Sequence, residues 1–149
     1  MSVKVTFDSS VRIPFVLTAG FCRALVSLAD YGLFQLCHSD YIIAEVAAKL
    51  AGPKLRQPRR RVRLFAQFIR DKSRSVRTTG RTYPFISDPK DHAVFETAER
   101  ARADFLVTYD PHLLVANGQR GVHVVRPEEF YEQLVRVGLV TRHEFRPKR

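Results

Sequence analysis

Four acidic residues, Asp8, Glu45, Asp91 and Asp110, stand at or near the points where the pattern of this 149-residue chain changes from one element to the next. Asp8 directly follows the alternating run at residues 3–7 (VKVTF), and Asp110 closely follows the apolar run at 105–108 (FLVT). Two carboxylates are therefore expected at one edge of one sheet, where the crevice of an open α/β fold lies. Asp91 comes three residues before Val94 and seven before Ala98, which places it on the buried face of a helix, one turn in. Glu45 flanks the Ile42/Val46 stripe of another helix.

Taken singly, each acid has a structural explanation. Asp110 precedes Pro111 and can cap a helix, Asp91 can favour a helix dipole, Asp8 can close a turn, and Glu45 can pair with Lys49 one turn on. Asp88, before Pro89, is accounted for by capping alone. Taken together they ask for more, because three or four converging carboxylates repel unless they are protonated or neutralised by a cation. An all-oxygen site of this kind suits Mg²⁺ or Mn²⁺. His38, His92, His112, His123 and His143 show no ligand spacing, and Cys22 and Cys37 form no CxxC, which argues against zinc. The chain has no GxxxxGK[ST], GxGxxG or GxSxG, which counts against nucleotide-binding and serine-hydrolase roles.

The elements that must position these acids alternate. A strand at 3–7 leads through Ser9-Ser10 into an interrupted helical region at 11–28, then a short apolar strand at 33–37. Ser39-Asp40 caps a helix at 41–50 that Gly52-Pro53 ends. Pro58 opens a helix with Val62, Phe65, Phe68 and Ile69 at helical spacing, followed by a loop at 72–87 with a short strand near 75–77. Asp88-Pro89 starts a helix whose apolar face is Val94, Phe95, Ala98 and Ala101. Strands at 105–108 and 122–125 follow, and Pro127 opens a last helix through Phe130, Leu134 and Val137. Continuous apolar strands alternating with helices predict an α/β fold, a three-layer α/β/α sandwich with a central, mainly parallel sheet. One domain over residues 1–140 and a basic, mobile tail at 141–149 are expected.

A hydrophobic content of 45% suits a packed core. The stretch at 11–29 is too short and too polar to span a bilayer, and MSVKVTFD has no signal-peptide pattern, so a cytoplasmic protein with two buried, reduced thiols is expected. The net charge of +10 is local: residues 54–82 hold 11 Lys/Arg and one acid, Asp71, while the remainder is balanced. A concentrated positive segment favours a polyanion or an acidic protein partner over general solubility.

Several stretches resemble the motifs of the PIN-domain family. VTFDSS resembles the first motif, in which a strand runs into Asp-Thr-Asn, and SDYIIAEVAAKL resembles the second, in which a Ser caps a helix bearing a single Glu. DPKDHAVFETAERARADFLVTYDPHLL closely resembles the third and fourth, and the closing GVHVVRPEEFYEQL is also typical. The likeness extends over residues 3–134, especially toward VapC-like toxin components of toxin–antitoxin pairs. It implies that Asp8, Glu45, Asp91 and Asp110 are the metal-site acids of a catalytic centre, and that Thr108 is a hydroxyl beside the metal. Ser9-Ser10 departs from the usual Thr-Asn, although Ser10 can still hydrogen-bond to an acid.

What the resemblance implies for function is Mg²⁺- or Mn²⁺-dependent hydrolysis of RNA phosphodiesters, with a small antitoxin protein as partner and a homodimer as the assembly. Arg59, Arg60, Arg61, Arg63, Lys72, Arg74, Arg77 and Arg81 are the residues expected to track the RNA backbone. One alternative is a PIN-fold RNA-binding module that is catalytically weak or inactive, which the Ser9-Ser10 departure keeps open. A phosphoryl-transfer domain of receiver or phosphatase type also places an Asp after strand one. It fits less well, because Ser10 stands where the phosphatase pattern needs a second acid.

Overall fold

The computed structural model describes residues 3–11 and 27–139. Five strands, β1 (Lys4–Phe7), β2 (Gln35–His38), β3 (Arg74–Ser75), β4 (Phe105–Val107) and β5 (His123–Val125), form one sheet in the order β3-β2-β1-β4-β5. Every pairing is parallel, with Val5 opposite Leu36 on one side and Phe105 on the other. The helices that accompany them among the described residues include α1 (Asp40–Ala51), α2 (Arg59–Lys72), α3 (Asp91–Arg100), α4 (Pro111–Leu114) and α5 (Pro127–Arg136).

The apolar runs are continuous because the sheet is covered on both faces. Successive strand residues enter opposite cores: Cys37, Leu106 and Val124 pack with α1, α2 and α3, whereas Leu36, Val107 and Val125 pack with α5. The second core is rich in aromatic rings, with Phe130 set edge-on to Phe7, Phe34 and Phe105. The expected three-layer α/β/α sandwich is what the described residues build.

Local signals explain most helix ends. Ser39 caps α1 by accepting the Ile42 N–H at 3.4 Å, and the Gly52 N–H closes its end on the Lys49 carbonyl. Ile42, Ile43, Val46 and Leu50 form its buried face, while α2 buries Phe65 and Ile69. Helix α3 starts at Asp91, two residues later than Asp88-Pro89 predicts. The Asp88 side chain instead closes a turn, its Oδ1 accepting the Lys90 N–H at 3.0 Å, and that local bond competes with helix initiation.

The helical expectation at 11–28 is met at residues 11 and 27–28, although the helical turns begin earlier, at 9, and run on to 30; its middle, with Cys22, lies outside the described residues, as does the tail at 141–149. Cys37 is fully buried. Among the described residues no helix is long and apolar enough to cross a membrane.

Candidate metal centre

Strands β1 and β4 end level, with Phe7 opposite Val107, so Asp8 and Thr108 leave the sheet together. The Asp8 N–H donates to the Val107 carbonyl and the Thr108 N–H to the Val125 carbonyl, at 3.0 and 2.9 Å. The Asp8 carboxylate is buried, and both of its oxygens are held. Oδ1 accepts the Ser9 N–H at 2.6 Å, and Oδ2 accepts the hydroxyls of Ser10 at 2.9 Å and Thr108 at 2.7 Å.

These small hydroxyls also tie Asp8 to the other acids. The Ser9 hydroxyl donates to Glu45 Oε1 at 2.6 Å and accepts from Lys49 Nζ at 2.8 Å. Lys49 also pairs with Glu45 at 3.3 Å. Ser10 Oγ accepts the Tyr109 N–H at 3.0 Å, and Thr108 Oγ1 accepts the Asp110 N–H at 2.9 Å. Ser9-Ser10 therefore supports Asp8 from both sides, and one run of hydrogen bonds joins Glu45, Asp8 and the backbone of Asp110.

Asp91 faces this group from the first residue of α3. It is only 6% exposed, and its Oδ2 has no hydrogen-bond partner. Burial, a hydrogen bond with Asp110, and the charges of Asp110, Asp88 and Asp8 raise its pKa to about 8. Without a cation, Asp91 therefore holds its proton to a higher pH than an ordinary carboxyl. Asp110 serves as the cap of α4, its Oδ1 accepting the His112 N–H at 2.8 Å and lying 3.1 Å from His112 Nδ1. Capping and proximity to Asp91 are thus both true of this residue.

Three residues join the acids that spacing along the chain does not reveal. A ring nitrogen of His112 and carboxylate oxygens of Asp88 and Asp91 all lie within 4.8 Å of one another. The Tyr41 hydroxyl donates to the Lys90 carbonyl at 3.2 Å. Its pKa is raised by burial first, then by the charges of Glu45, Asp91 and Asp88 and a hydrogen bond with Glu45, which puts Glu45 on the same acidic patch as Asp91. The two-residue step from Asp110 to His112 and the three-residue step from Asp88 to Asp91 are local enough to have been sequence signals.

Residues 4–112, more than half of the chain, match the family model described as PIN domain. The chain belongs to the PIN-domain family. No curated protein matches it. PIN domains are generally metal-dependent nucleases, with nucleic acid as the substrate. This PIN domain has donors that fit a divalent cation. A buried carboxyl oxygen without a partner is costly, and an ion that displaced the Asp91 proton would satisfy it while relieving the repulsion among its neighbours.

The eight basic residues singled out by sequence, Arg59, Arg60, Arg61, Arg63, Lys72, Arg74, Arg77 and Arg81, are all exposed in this PIN domain. Lys72 pairs with Asp30 at 3.1 Å and Arg81 with Glu99 at 2.9 Å, so part of their charge is offset within the chain. The loop that carries Arg81 is anchored by Glu96, a fully buried acid that sequence reasoning passed over. Its carboxylate accepts the Thr79 N–H at 2.8 Å, the Arg81 N–H at 3.1 Å and Arg100 Nε at 2.7 Å. Burial opposes its ionisation, but Arg100 and these loop donors outweigh it and lower the pKa to about 2. The same helix thus holds Asp91 at its start and this basic loop along its side.

Proposed function

We propose that this chain is an endoribonuclease using Mg²⁺ or Mn²⁺, the toxin of a type II toxin–antitoxin pair that acts in the cytoplasm. The observation that carries the nuclease reading is the buried Asp91 carboxyl with an unpartnered oxygen, flanked by Asp8, Asp88 and Asp110. Asp8, Glu45, Asp91 and Asp110 are the catalytic acids in this reading and would hold the cation. Bound there, the ion would supply charge to the scissile phosphate and make the attacking water more acidic.

The chain's own part is to prepare these groups. Ser9, Ser10 and Thr108 aim the Asp8 carboxylate with three donors, and Ser9 together with Lys49 holds Glu45 in place. Asp91, with its raised pKa, would have to give up a proton to hold the ion, which would make metal binding depend on pH. Arg59, Arg60, Arg61, Arg63, Arg74 and Arg77 supply exposed positive charge for an RNA backbone, while Lys72 and Arg81 contribute from within ion pairs. The antitoxin part of the proposal finds support in a groove between α1 and α2, where Ala47, Ala48, Ala51 and Val62 are rimmed by Arg59 and Arg63. An apolar peptide with acidic flanks would suit it, and a homodimer is proposed on family likeness alone.

Cleavage of a mixed single-stranded RNA pool with Mn²⁺ or Mg²⁺, abolished by EDTA and by Asp91→Ala or Asp110→Ala, is the expected result. Wild-type rates in either variant would overturn the site. Metal-dependent RNA binding without cleavage would select the inactive binding module instead.

A further inference from the structure

His112 brings a nitrogen donor to a site that otherwise offers carboxylates. A ring nitrogen of His112 and oxygens of Asp88 and Asp91 lie within 4.8 Å of one another, close enough to share one ion. Asp91 Oδ2, on a residue more than nine-tenths buried, has no hydrogen-bond partner. Asp110 Oδ1 lies 3.1 Å from His112 Nδ1 and accepts the His112 backbone N–H at 2.8 Å, so it orients the imidazole. A carboxylate on one ring nitrogen, with the other left to the ion, is the common arrangement at metal-binding histidines. Asp88 is placed by its own turn, through Lys90 N–H and Asp91 N–H.

We propose that Asp88, Asp91 and His112 form a mixed nitrogen and oxygen subsite that selects Mn²⁺ or another first-row transition ion over Mg²⁺. The proposal rests on the metal-nuclease reading above but assigns two ligands, Asp88 and His112, outside its four acids. Mg²⁺ prefers an all-oxygen shell and keeps much of its water, whereas imidazole gains more with transition ions. Asp91 is the member common to this subsite and the four-acid group.

The test is binding of Mn²⁺ to the full chain, followed by electron paramagnetic resonance, with Mg²⁺ titrated in parallel by calorimetry. The expected result is an electron spin echo modulation from a directly coordinated ¹⁴N in the wild type, absent in His112→Ala. Mn²⁺ affinity should fall about tenfold or more in His112→Ala, with Mg²⁺ affinity changed much less, whereas Asp88→Asn should weaken both ions. The His112 side chain is 59% exposed, so its removal should leave the melting temperature close to wild type, which the same samples can verify. Mn²⁺ bound without ¹⁴N modulation, equal loss of both ions in His112→Ala, or no Mn²⁺ binding would each overturn the proposal. RNA cleavage without ¹⁴N modulation would sink this subsite and leave the nuclease reading standing. Modulation without cleavage would do the reverse.

Discussion

Replacing Asp91 by Asn keeps the shape of the side chain and removes its titration. In the wild type, burial together with Asp110, Asp88 and Asp8 raises this pKa from 3.8 to about 8. Without a cation the folded chain therefore keeps a proton that the unfolded chain releases above about pH 4. A folded state that binds more protons loses stability as pH rises, here by up to about 1.4 kcal/mol per pH unit between roughly pH 4 and pH 8. Over the whole window the loss is on the order of several kcal/mol, a large part of the stability of a small domain. An Asn carries NH₂ where the protonated acid carries OH, so it can still donate to Asp110 without taking a charge.

Chemical denaturation in EDTA at pH 5, 6, 7 and 8 should show Asp91→Asn gaining on the wild type at each step. Other titrating groups are common to both proteins and cancel in the comparison. A divalent ion should act oppositely on the wild type, its affinity rising about tenfold per pH unit toward pH 8 as one proton is displaced. Parallel pH slopes for the two proteins in EDTA would refute the idea that Asp91 carries a proton in the folded chain.

Three further outcomes are expected. Glu96→Ala should destabilise the fold by about 1–3 kcal/mol, because it leaves the Thr79 and Arg81 N–H donors without their acceptor, while the partly exposed Arg100 can turn to solvent. Glu96 has a lowered pKa, so its contribution is present above pH 4.5 and is lost as pH falls toward about 2, which acid titration of wild type against Glu96→Gln can follow. Ser10→Ala removes one donor to Asp8 and the acceptor of the Tyr109 N–H, and should reduce cleavage about 10- to 100-fold with little change in RNA affinity. Arg74→Ala and Arg77→Ala should each lower the salt dependence of RNA binding by about 0.7 in the log–log slope, measured by fluorescence anisotropy across salt concentrations. Lys72→Ala, already paired with Asp30, should change it less.

The layer order and most of the elements were legible in the chain because they depend on local patterning. Apolar runs at 105–108 and 122–125 could be satisfied only by strands covered on both faces, and Ser39 and Gly52 mark helix ends by backbone chemistry alone. The convergence of Asp8 with Asp110 followed from the same logic, since parallel neighbours deliver the residues after them to one edge. The start of α3 was misplaced because the Asp88 turn competes with the helix, a contest between two local bonds that composition does not resolve.

Folding was needed for everything that depends on distance across the chain. Asp88 read as a cap and His112 as a histidine without ligand spacing, because His112 stands twenty-one residues from Asp91 and meets it only when two loops face each other. Glu96 read as an ordinary helix acid until the Thr79–Arg81 loop closed over it. The sequence put Asp91 on the buried face of its helix, but its raised pKa, its unpartnered oxygen and its repulsive neighbours exist only once burial removes the water that would have screened them.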